Sequence, residues 1–320
     1  MKRIAVLTSG GDSPGMNACI RAVVRRGLDR GLSVFGVMKG YDGLIDDNMK
    51  EMDSTDVSNI IQRGGTVLHS ARSPRFREAE YRETAAENLK KRGIDGLVVI
   101  GGDGSFRGAN ALTTEHSIPV VGVPATIDND IWGTDLTIGY DTAVNTALEA
   151  IDKVRDTAAA HDRLFIIEVM GRSAGFIALE VGIGAGAEAV LIPETKTDLP
   201  AICDKVKGRI ANGRTSNILV VAEGDEAGNA FQIAEKVKKI SDLKSRVTVL
   251  GHVQRGGSPT TTDRVLASKL GWSAVDALLE EAWPCMVGEV DNEIMRHPLA
   301  DSWTSRKELD PLLIELATIL

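Results

Sequence analysis

Asp128 and Asp130 stand two positions apart at the end of an apolar run, in "PVVGVPATIDND". Two carboxylates so close repel each other unless something binds between or beside them. In an extended segment, side chains two apart point the same way, about 7 Å from each other. Both acids would then face one cavity, one accepting a hydroxyl proton while the other holds a ligand or a metal-bound water. The structural alternative is an Asx turn in which the acids bond local amides and Thr126 is only a cap.

Other segments carry chemistry of a matching kind. "TSGGDSPGMN" (Thr8 to Asn17) follows an apolar strand pattern and opens a helical one. Its paired glycines let backbone N–H groups face an anion at a helix N-terminus, though a plain tight turn has the same sequence. The Gly-Lys-Ser/Thr ending of a P-loop is missing, which excludes the common NTPase folds. "GGDGSFRG" (Gly101 to Gly108) is a second such loop, with Asp103 between glycines. A carboxylate beside phosphate-cradling amides repels the ligand unless a hard cation such as Mg²⁺ bridges them. The alternative is an acid that simply complements the helix dipole. "ARSPRFR" gathers Arg72, Arg75 and Arg77, whose forks match phosphate oxygens or merely face water. "VMGRSAG" puts Arg172 on a strand-to-helix turn, where it can stabilise a transferring phosphoryl group. "AEGD" supplies Glu223, and "RVTVLGHVQRGGSP" supplies Arg246, His252 and Arg255. Taken singly, His252 reads more readily as a hydrogen-bonded structural histidine than as an acid or base.

These residues need a frame that brings strand ends together. Short β-branched runs ("RIAVLTS", "SVFGVMK", "GLVVIGG", "PVVGVPA", "LFIIEVM", "AVLIPE", "NILVVAE", "RVTVLGHV") alternate with longer helical patterns. In "DTAVNTALEAIDKVRDTAAAHD", Val144, Leu148, Ile151 and Val154 recur at helical spacing. Continuous apolar strands between amphipathic helices predict an α/β fold with parallel sheets covered on both faces. Each run ends in a Gly-, Asp- or Arg-rich cluster, and ligands of open α/β sheets bind at the carboxyl ends of strands. In the last segment, Leu309, Leu312, Leu313 and Leu316 predict a C-terminal helix packed on a smaller domain.

The 320 residues carry a net charge of −8, with 37 basic and 45 acidic side chains. Nucleic acid and anionic membrane are therefore excluded as expected main partners. The three cysteines, Cys19, Cys203 and Cys285, are odd in number and widely spaced, which argues against disulfides and zinc and for a reducing cytoplasm. No run approaches the ~18 apolar residues of a membrane span, and the N-terminal apolar run is too short for a signal peptide.

In order along residues 1 to about 290, "KRIAVLTSGGDSPGMN", "LVVIGGDGS", "TIDNDI", "AIDKVRDTA", "EVMGR", "VAEG" and "VTVLGHVQRGGSPT" resemble the bacterial ATP-dependent 6-phosphofructokinase family. The resemblance implies two similar three-layer α/β/α domains with mainly parallel sheets and an active site in the cleft between them. The larger, ATP-binding domain would span 1–138 plus 252–303; the smaller, fructose 6-phosphate-binding domain would span 139–251 plus 304–320. It also implies a homotetramer. By the same likeness, Asp128 removes the proton from the sugar's 1-hydroxyl, and Thr126, Arg172 and the N–H of Gly11 stabilise the γ-phosphoryl in transit. Asp103 lies near Mg²⁺, with Asp130 beside the reacting groups. Tyr41, Arg72, Ser73, Phe76, Arg77, Gly102, Gly104, Ser105 and Gly108 would line the ATP pocket. Met170, Gly171, Arg172, Glu223, His252 and Arg255 would hold the sugar phosphate, with Arg163 and Arg246 reaching it from a neighbouring subunit.

Relatives that use pyrophosphate resemble the chain too, but carry Asp where Gly104 stands and Lys where Ala125 stands, so Gly104 implies ATP. Ala125 also departs from the Gly usual in the ATP group, and a methyl there would strain a turn that required positive φ. Arg21, Arg25, Arg155, Gly186, Glu188 and Arg214 match the family's effector cleft for ADP or phosphoenolpyruvate. Asn212 and Ser216 replace an arginine and a histidine often found there. The competing readings are a pyrophosphate-dependent phosphofructokinase and a non-catalytic nucleotide or sugar-phosphate sensor.

Overall fold

The computed structural model describes residues 1–159, 163–214 and 216–319. The chain runs β1 (Arg3–Ser9), α1 (Met16–Asp29), β2 (Ser33–Val37), α2 (Gly40–Ile45), β3 (Met49–Met52), α3 (Ala79–Lys91), β4 (Gly96–Gly101), α4 (Asp103–His116) and β5 (Val120–Pro124). It continues through α5 (Tyr140–Ala159), β6 (Arg163–Val169), α6 (Phe176–Gly184), β7 (Ala189–Leu191), α7 (Leu199–Ala211), β8 (Ser216–Ala222), α8 (Ala230–Ser241) and β9 (Ser245–Val249). It closes with α9 (Thr261–Leu279), β10 (Cys285–Val290), β11 (Glu293–Pro298), α10 (Asp301–Thr304) and α11 (Pro311–Ile319). The fold is α/β with mainly parallel sheets, as the alternation predicts.

Two compact units divide the chain. The first comprises Met1–Ile127, Ile131–Thr142 and Arg255–Lys307; the second comprises Asp128–Asp130, Ala143–Gln254 and Glu308–Leu320. Among the described residues, the first unit holds a seven-stranded sheet in the order β11-β10-β5-β4-β1-β2-β3. Its inner pairings are parallel, while β3 and β11 are antiparallel edges. The pleat sorts β1 into two cores. Ile4 and Val6 pack with α1 and α9, whereas Ala5 and Leu7 pack with α3 and α4. On α1, Met16, Ile20, Val23 and Val24 are fully buried, and each contributes roughly 1.5–3 kcal/mol of transfer free energy. The second unit holds a parallel sheet in the order β7-β8-β6-β9. Leu164, Ile166, Leu219 and Val221 pack there against Leu199, Cys203 and Val206 of α7 and Ile233 and Val237 of α8.

Three strands escape the sequence reading. In β3, Met-Lys-Glu-Met buries only its outer residues, and β11 is a polar, mostly exposed edge, so neither shows the continuous apolar pattern of a central strand. β10 is buried along its first four residues, but a Gly-Glu pair interrupts its apolar run. On α5 the deeply buried positions are Ala143, Ala147 and Ile151; the larger Val144, Leu148 and Val154 are half-buried. The predicted C-terminal helix is present as α11, against α6 and β7. Leu309 is buried just before it, while Leu312 is mostly exposed.

The first unit also contains a buried cap. Asp263 of α9 is almost inaccessible. Its carboxylate accepts the N–H of Gly139 at 2.6 Å, the N–H of Thr142 at 2.8 Å and the Thr142 hydroxyl at 2.5 Å. Those donors flank the start of α5, whose first-turn N–H groups have no intrahelical acceptor. Burial raises the Asp263 carboxyl above its usual range against the pull of these three donors.

Candidate active site

In the first unit, parallel register aligns three strand ends. Ser9 of β1 stands opposite Gly101 of β4, which stands opposite Pro124 of β5. The segments starting at Gly10, Gly102 and Ala125 therefore leave the sheet side by side. Gly101 has no space for a side chain: a Cβ there would lie 2.5 Å from the Ser9 carbonyl oxygen and 2.6 Å from Ser105 Oγ. Ser105 Oγ in turn donates to that same carbonyl at 3.0 Å, tying α4 to the first strand end.

Neither loop helix is capped by a side chain. Gly15, with φ of 112°, precedes α1, and Gly102 precedes α4. Met16 of α1 and Ser105 of α4 donate to the carbonyls of Ser13 and Gly102, and the partial positive charge of helix ends left uncapped by side chains favours an anion. Asp103 is half-exposed at the head of α4, and the Arg107 Nε lies 2.6 Å from its Oδ1. Sequence reasoning missed this pairing, which follows from i,i+4 spacing on one helix face. Among the described residues, nothing lies within 4 Å of the position a Cβ of Gly104 would take, so open space lies beside it. Arg255 donates to the Asp12 carbonyl at 3.1 Å, and its guanidinium lies against Gly11, 2.9 Å from where a Cβ would sit.

The "ARSPRFR" segment joins the same region. The Gly10 N–H donates to the Ala71 carbonyl, and the Ser70 hydroxyl donates to the Gly10 carbonyl. Arg72 and Arg77 are exposed. Arg75 instead pairs with Asp42 and Asp46, and Ser73 Oγ donates to Asp42 at 2.6 Å. Tyr41 and Phe76 stack with ring centroids 4.0 Å apart. Both are buried, and they pack where Gly108 leaves room, while the Tyr41 hydroxyl donates to the Ser105 carbonyl. The aromatic pair thus packs against α4 at Gly108.

The Thr126–Asp130 segment departs from expectation in one respect. Asn129 has φ of 54° and Ile127–Asp128 forms a turn, so the chain here is not extended. The pleat argument for Asp128 and Asp130 facing one way therefore fails. Asp128 is almost wholly buried, while Asn129 is buried and Asp130 is half-buried. Thr126 is held through its carbonyl, which accepts the Thr137 hydroxyl at 2.6 Å. Ala125 bridges to Ile138 and is absent from the positive-φ residues, so its methyl group brings no strain.

In the second unit, Val169 of β6 lies opposite Ala222 of β8, and Glu168 lies opposite Val249 of β9. Met170, Glu223 and the Gly251–Arg255 3-10 turn thus issue from neighbouring strand ends. Gly171 has φ of 142° and Arg172 φ of 54°. Glu223 Oε1 accepts the Arg172 N–H at 2.7 Å. Gly224 presses on the same turn, where a Cβ would lie 1.9 Å from the Arg172 carbonyl oxygen. So held, Arg172 places its Nε 3.3 Å from Asp128 Oδ2, with side chains 54% and 2% exposed respectively. His252 is exposed on its 3-10 turn, and Arg246 is exposed on the edge strand β9. Arg163 opens β6, and its side chain lies outside the described residues.

The residues matched to an effector cleft fall in both units. Arg21 and Arg25 share a face of α1, half-buried and exposed respectively. Arg155 donates to the carbonyls of Ala185 and Gly186 and reaches Ser216 Oγ at 3.5 Å. Glu188 is buried and pairs at 2.5 Å with Arg209 Nε, an arginine the sequence reading overlooked. Arg214 is exposed, and its N–H donates to the Arg209 carbonyl. Burial pushes the Glu188 carboxyl upward, opposed by Arg209, Arg155 and Lys205.

Uncapped glycine loops at aligned strand ends, and an exposed arginine over a buried acid, define an α/β protein equipped for anionic ligands. Residues 3–278 match the family model described as phosphofructokinase. The chain is 54% identical over 320 residues to the ATP-dependent 6-phosphofructokinase 1 of Thermus thermophilus, covering 100% of this chain and 99% of that protein. It is 52% identical to the ATP-dependent 6-phosphofructokinase of Cytophaga hutchinsonii, over 99% of this chain and 97% of that one. The structure of phosphofructokinase from Saccharomyces cerevisiae superposes with a TM-score of 0.88 at 39% identity, over 94% of this chain. This chain spans 45% of the length of that yeast chain. The chain belongs to the phosphofructokinase family.

Proposed function

We propose that the protein is an ATP-dependent 6-phosphofructokinase. It transfers the γ-phosphoryl group of ATP to the 1-hydroxyl of fructose 6-phosphate, giving fructose 1,6-bisphosphate and ADP. The observation that carries this reading is the exposed Arg172 guanidinium standing 3.3 Å from the buried carboxylate of Asp128. A base and a cationic clamp are the two groups phosphoryl transfer demands beyond positioning.

In this mechanism Asp128 accepts the proton of the sugar's 1-hydroxyl as that oxygen bonds the γ-phosphorus. The bond from the γ-phosphorus to the bridging oxygen breaks, and ADP leaves with the electron pair. Arg172, Thr126 and the Gly11 N–H offset negative charge on the phosphoryl oxygens in transit. Gly102, Gly104, Ser105 and Gly108 with Tyr41, Arg72, Ser73, Phe76 and Arg77 form the nucleotide site. Met170, Gly171, Glu223, His252 and Arg255 hold the sugar phosphate, and Asp130 stands near the reacting groups. Open space beside Gly104 supports a nucleotide donor over pyrophosphate.

Among the described residues, no three His, Cys, Asp or Glu side chains converge as a metal cage. Asp103 alone suits Mg²⁺, which is commonly held by one or two carboxylates plus substrate phosphates and water. Bound there, Mg²⁺ would neutralise phosphate charge, and Arg107 would have to release Asp103.

The active form is a homotetramer in which Arg163 and Arg246 serve a neighbouring subunit's sugar phosphate; exposure of Arg246 on an edge strand supports this. Arg21, Arg25, Arg155, Gly186, Glu188 and Arg214 form the effector site for ADP or phosphoenolpyruvate. The enzyme acts in the cytoplasm; no helix among the described residues is long and apolar enough to cross a membrane. A coupled assay of purified protein with fructose 6-phosphate tests the reading, with ATP and pyrophosphate offered separately. Turnover with ATP and little with pyrophosphate is expected. Turnover with pyrophosphate alone, or saturable binding without turnover, would overturn it.

A further inference from the structure

We infer that Gln254 is a positioning residue for Arg172, acting through the backbone of Met170. Gln254 is completely buried. Its Oε1 accepts the Met170 N–H at 2.9 Å, while its Nε2 is buried with no hydrogen-bond partner among the described residues. A buried polar group left unpaired is destabilising, so what this amide contributes here is its oxygen. An aliphatic side chain would avoid the orphaned Nε2 but would strip the Met170 N–H of its acceptor.

The turn after β6 needs that acceptor. Arg172 sits at φ of 54°, in a left-handed region that is unfavourable for a non-glycine residue. Three contacts impose this conformation. Gln254 takes the Met170 N–H from the buried side. Glu223, itself exposed, takes the Arg172 N–H. The Ala174 N–H closes on the Gly171 carbonyl at 3.0 Å. Gln254 is the one fully buried side chain of this set, and therefore the anchor least loosened by solvent or ligand. Removing it frees the strand end one residue before the left-handed pair and lets Arg172 drift from Asp128.

This role presupposes that Arg172 clamps the phosphoryl group, so the inference rests on the phosphotransferase reading above. A double-mutant cycle between Gln254→Leu and Arg172→Ala, scored by kcat with ATP and fructose 6-phosphate, tests it. Gln254→Leu should lower kcat about 10–100-fold on the unaltered background and less than about twofold on the Arg172→Ala background, because coupled residues are non-additive. The KM for ATP should stay within about twofold on both backgrounds. Gln254→Glu retains the acceptor and should recover most of the loss. Equal losses on both backgrounds, or none on either, would overturn the inference. Amide hydrogen exchange supplies a readout independent of turnover: Gln254→Leu should reduce protection at Met170 and Arg172 at least about tenfold, relative to β8 in the same molecule. Unchanged protection there would overturn the role even if the protein catalysed no reaction. Absence of turnover in the unaltered protein would overturn the phosphotransferase reading instead, leaving the exchange result to decide Gln254's hold on the turn.

Discussion

Arg172 Nε lies 3.3 Å from Asp128 Oδ2, a half-exposed guanidinium over a buried carboxylate. The pair is lopsided: water screens the cation and hardly reaches the anion. Arg172→Ala should therefore cut kcat by about 10²–10³-fold through loss of charge stabilisation in transit. It should also destabilise the fold by about 1 kcal/mol or more, because the buried Asp128 carboxylate loses this cation. Arg172→Lys should recover only part of the rate, since an ammonium lacks the planar fork. Steady-state kinetics beside urea melts check both halves.

Gly101 and Gly104, three residues apart, should respond oppositely to a side chain. Gly101→Ala forces a methyl against the Ser9 carbonyl and Ser105 Oγ and should cost about 1–3 kcal/mol by overpacking. Gly104→Asp meets open space and should leave the melting temperature nearly unchanged. It should raise the KM for ATP at least about tenfold, as a carboxylate faces phosphate. Equal effects on stability at the two positions would contradict the packing described.

Asp263 accepts three hydrogen bonds in a site almost closed to water. Asp263→Ala would leave the N–H groups of Gly139 and Thr142 without this acceptor and should destabilise the protein by about 3 kcal/mol or more. Asp263→Asn, which can satisfy part of the set, should fall between. Chemical denaturation of both variants distinguishes a cap from a passive core residue.

Glu188 makes stability depend on pH. Burial raises its carboxyl above the ordinary value of 4.5 despite Arg209, Arg155 and Lys205. The folded state then binds that proton more tightly than the unfolded state, so this contribution is largest at low pH. It declines as pH rises from the ordinary value through the raised one. Subtracting the Glu188→Gln stability profile from that of the unaltered protein should reveal the decline. A difference that grows with rising pH would contradict the assignment.

Much of the frame is legible in sequence because central parallel strands are continuous apolar runs and their ends concentrate Gly, Asp and Arg. β3 and β11 are not, because a solvent-facing edge strand carries polar residues that read as loop. Asp128 stands out as a candidate, but its burial and the left-handed Asn129 come from tertiary packing, which overrode the extended geometry expected there. The partners that decide local chemistry were hardest to see. Arg209 on Glu188 and Gln254 on Met170 join residues 21 and 84 positions apart. Nothing in local spacing announces such contacts, and a neutral glutamine carries no charge to draw notice.

The central claim is that Asp128 is the base, and Asp128→Ser with ATP and fructose 6-phosphate measures it most directly. The expected result is a fall in kcat of about 10²–10⁴-fold, the usual effect of losing a positioned base, with binding of fructose 6-phosphate, read by equilibrium titration, within about threefold of the unaltered protein. Turnover within about threefold of the unaltered enzyme would contradict the account, because the proton would then be leaving by another route.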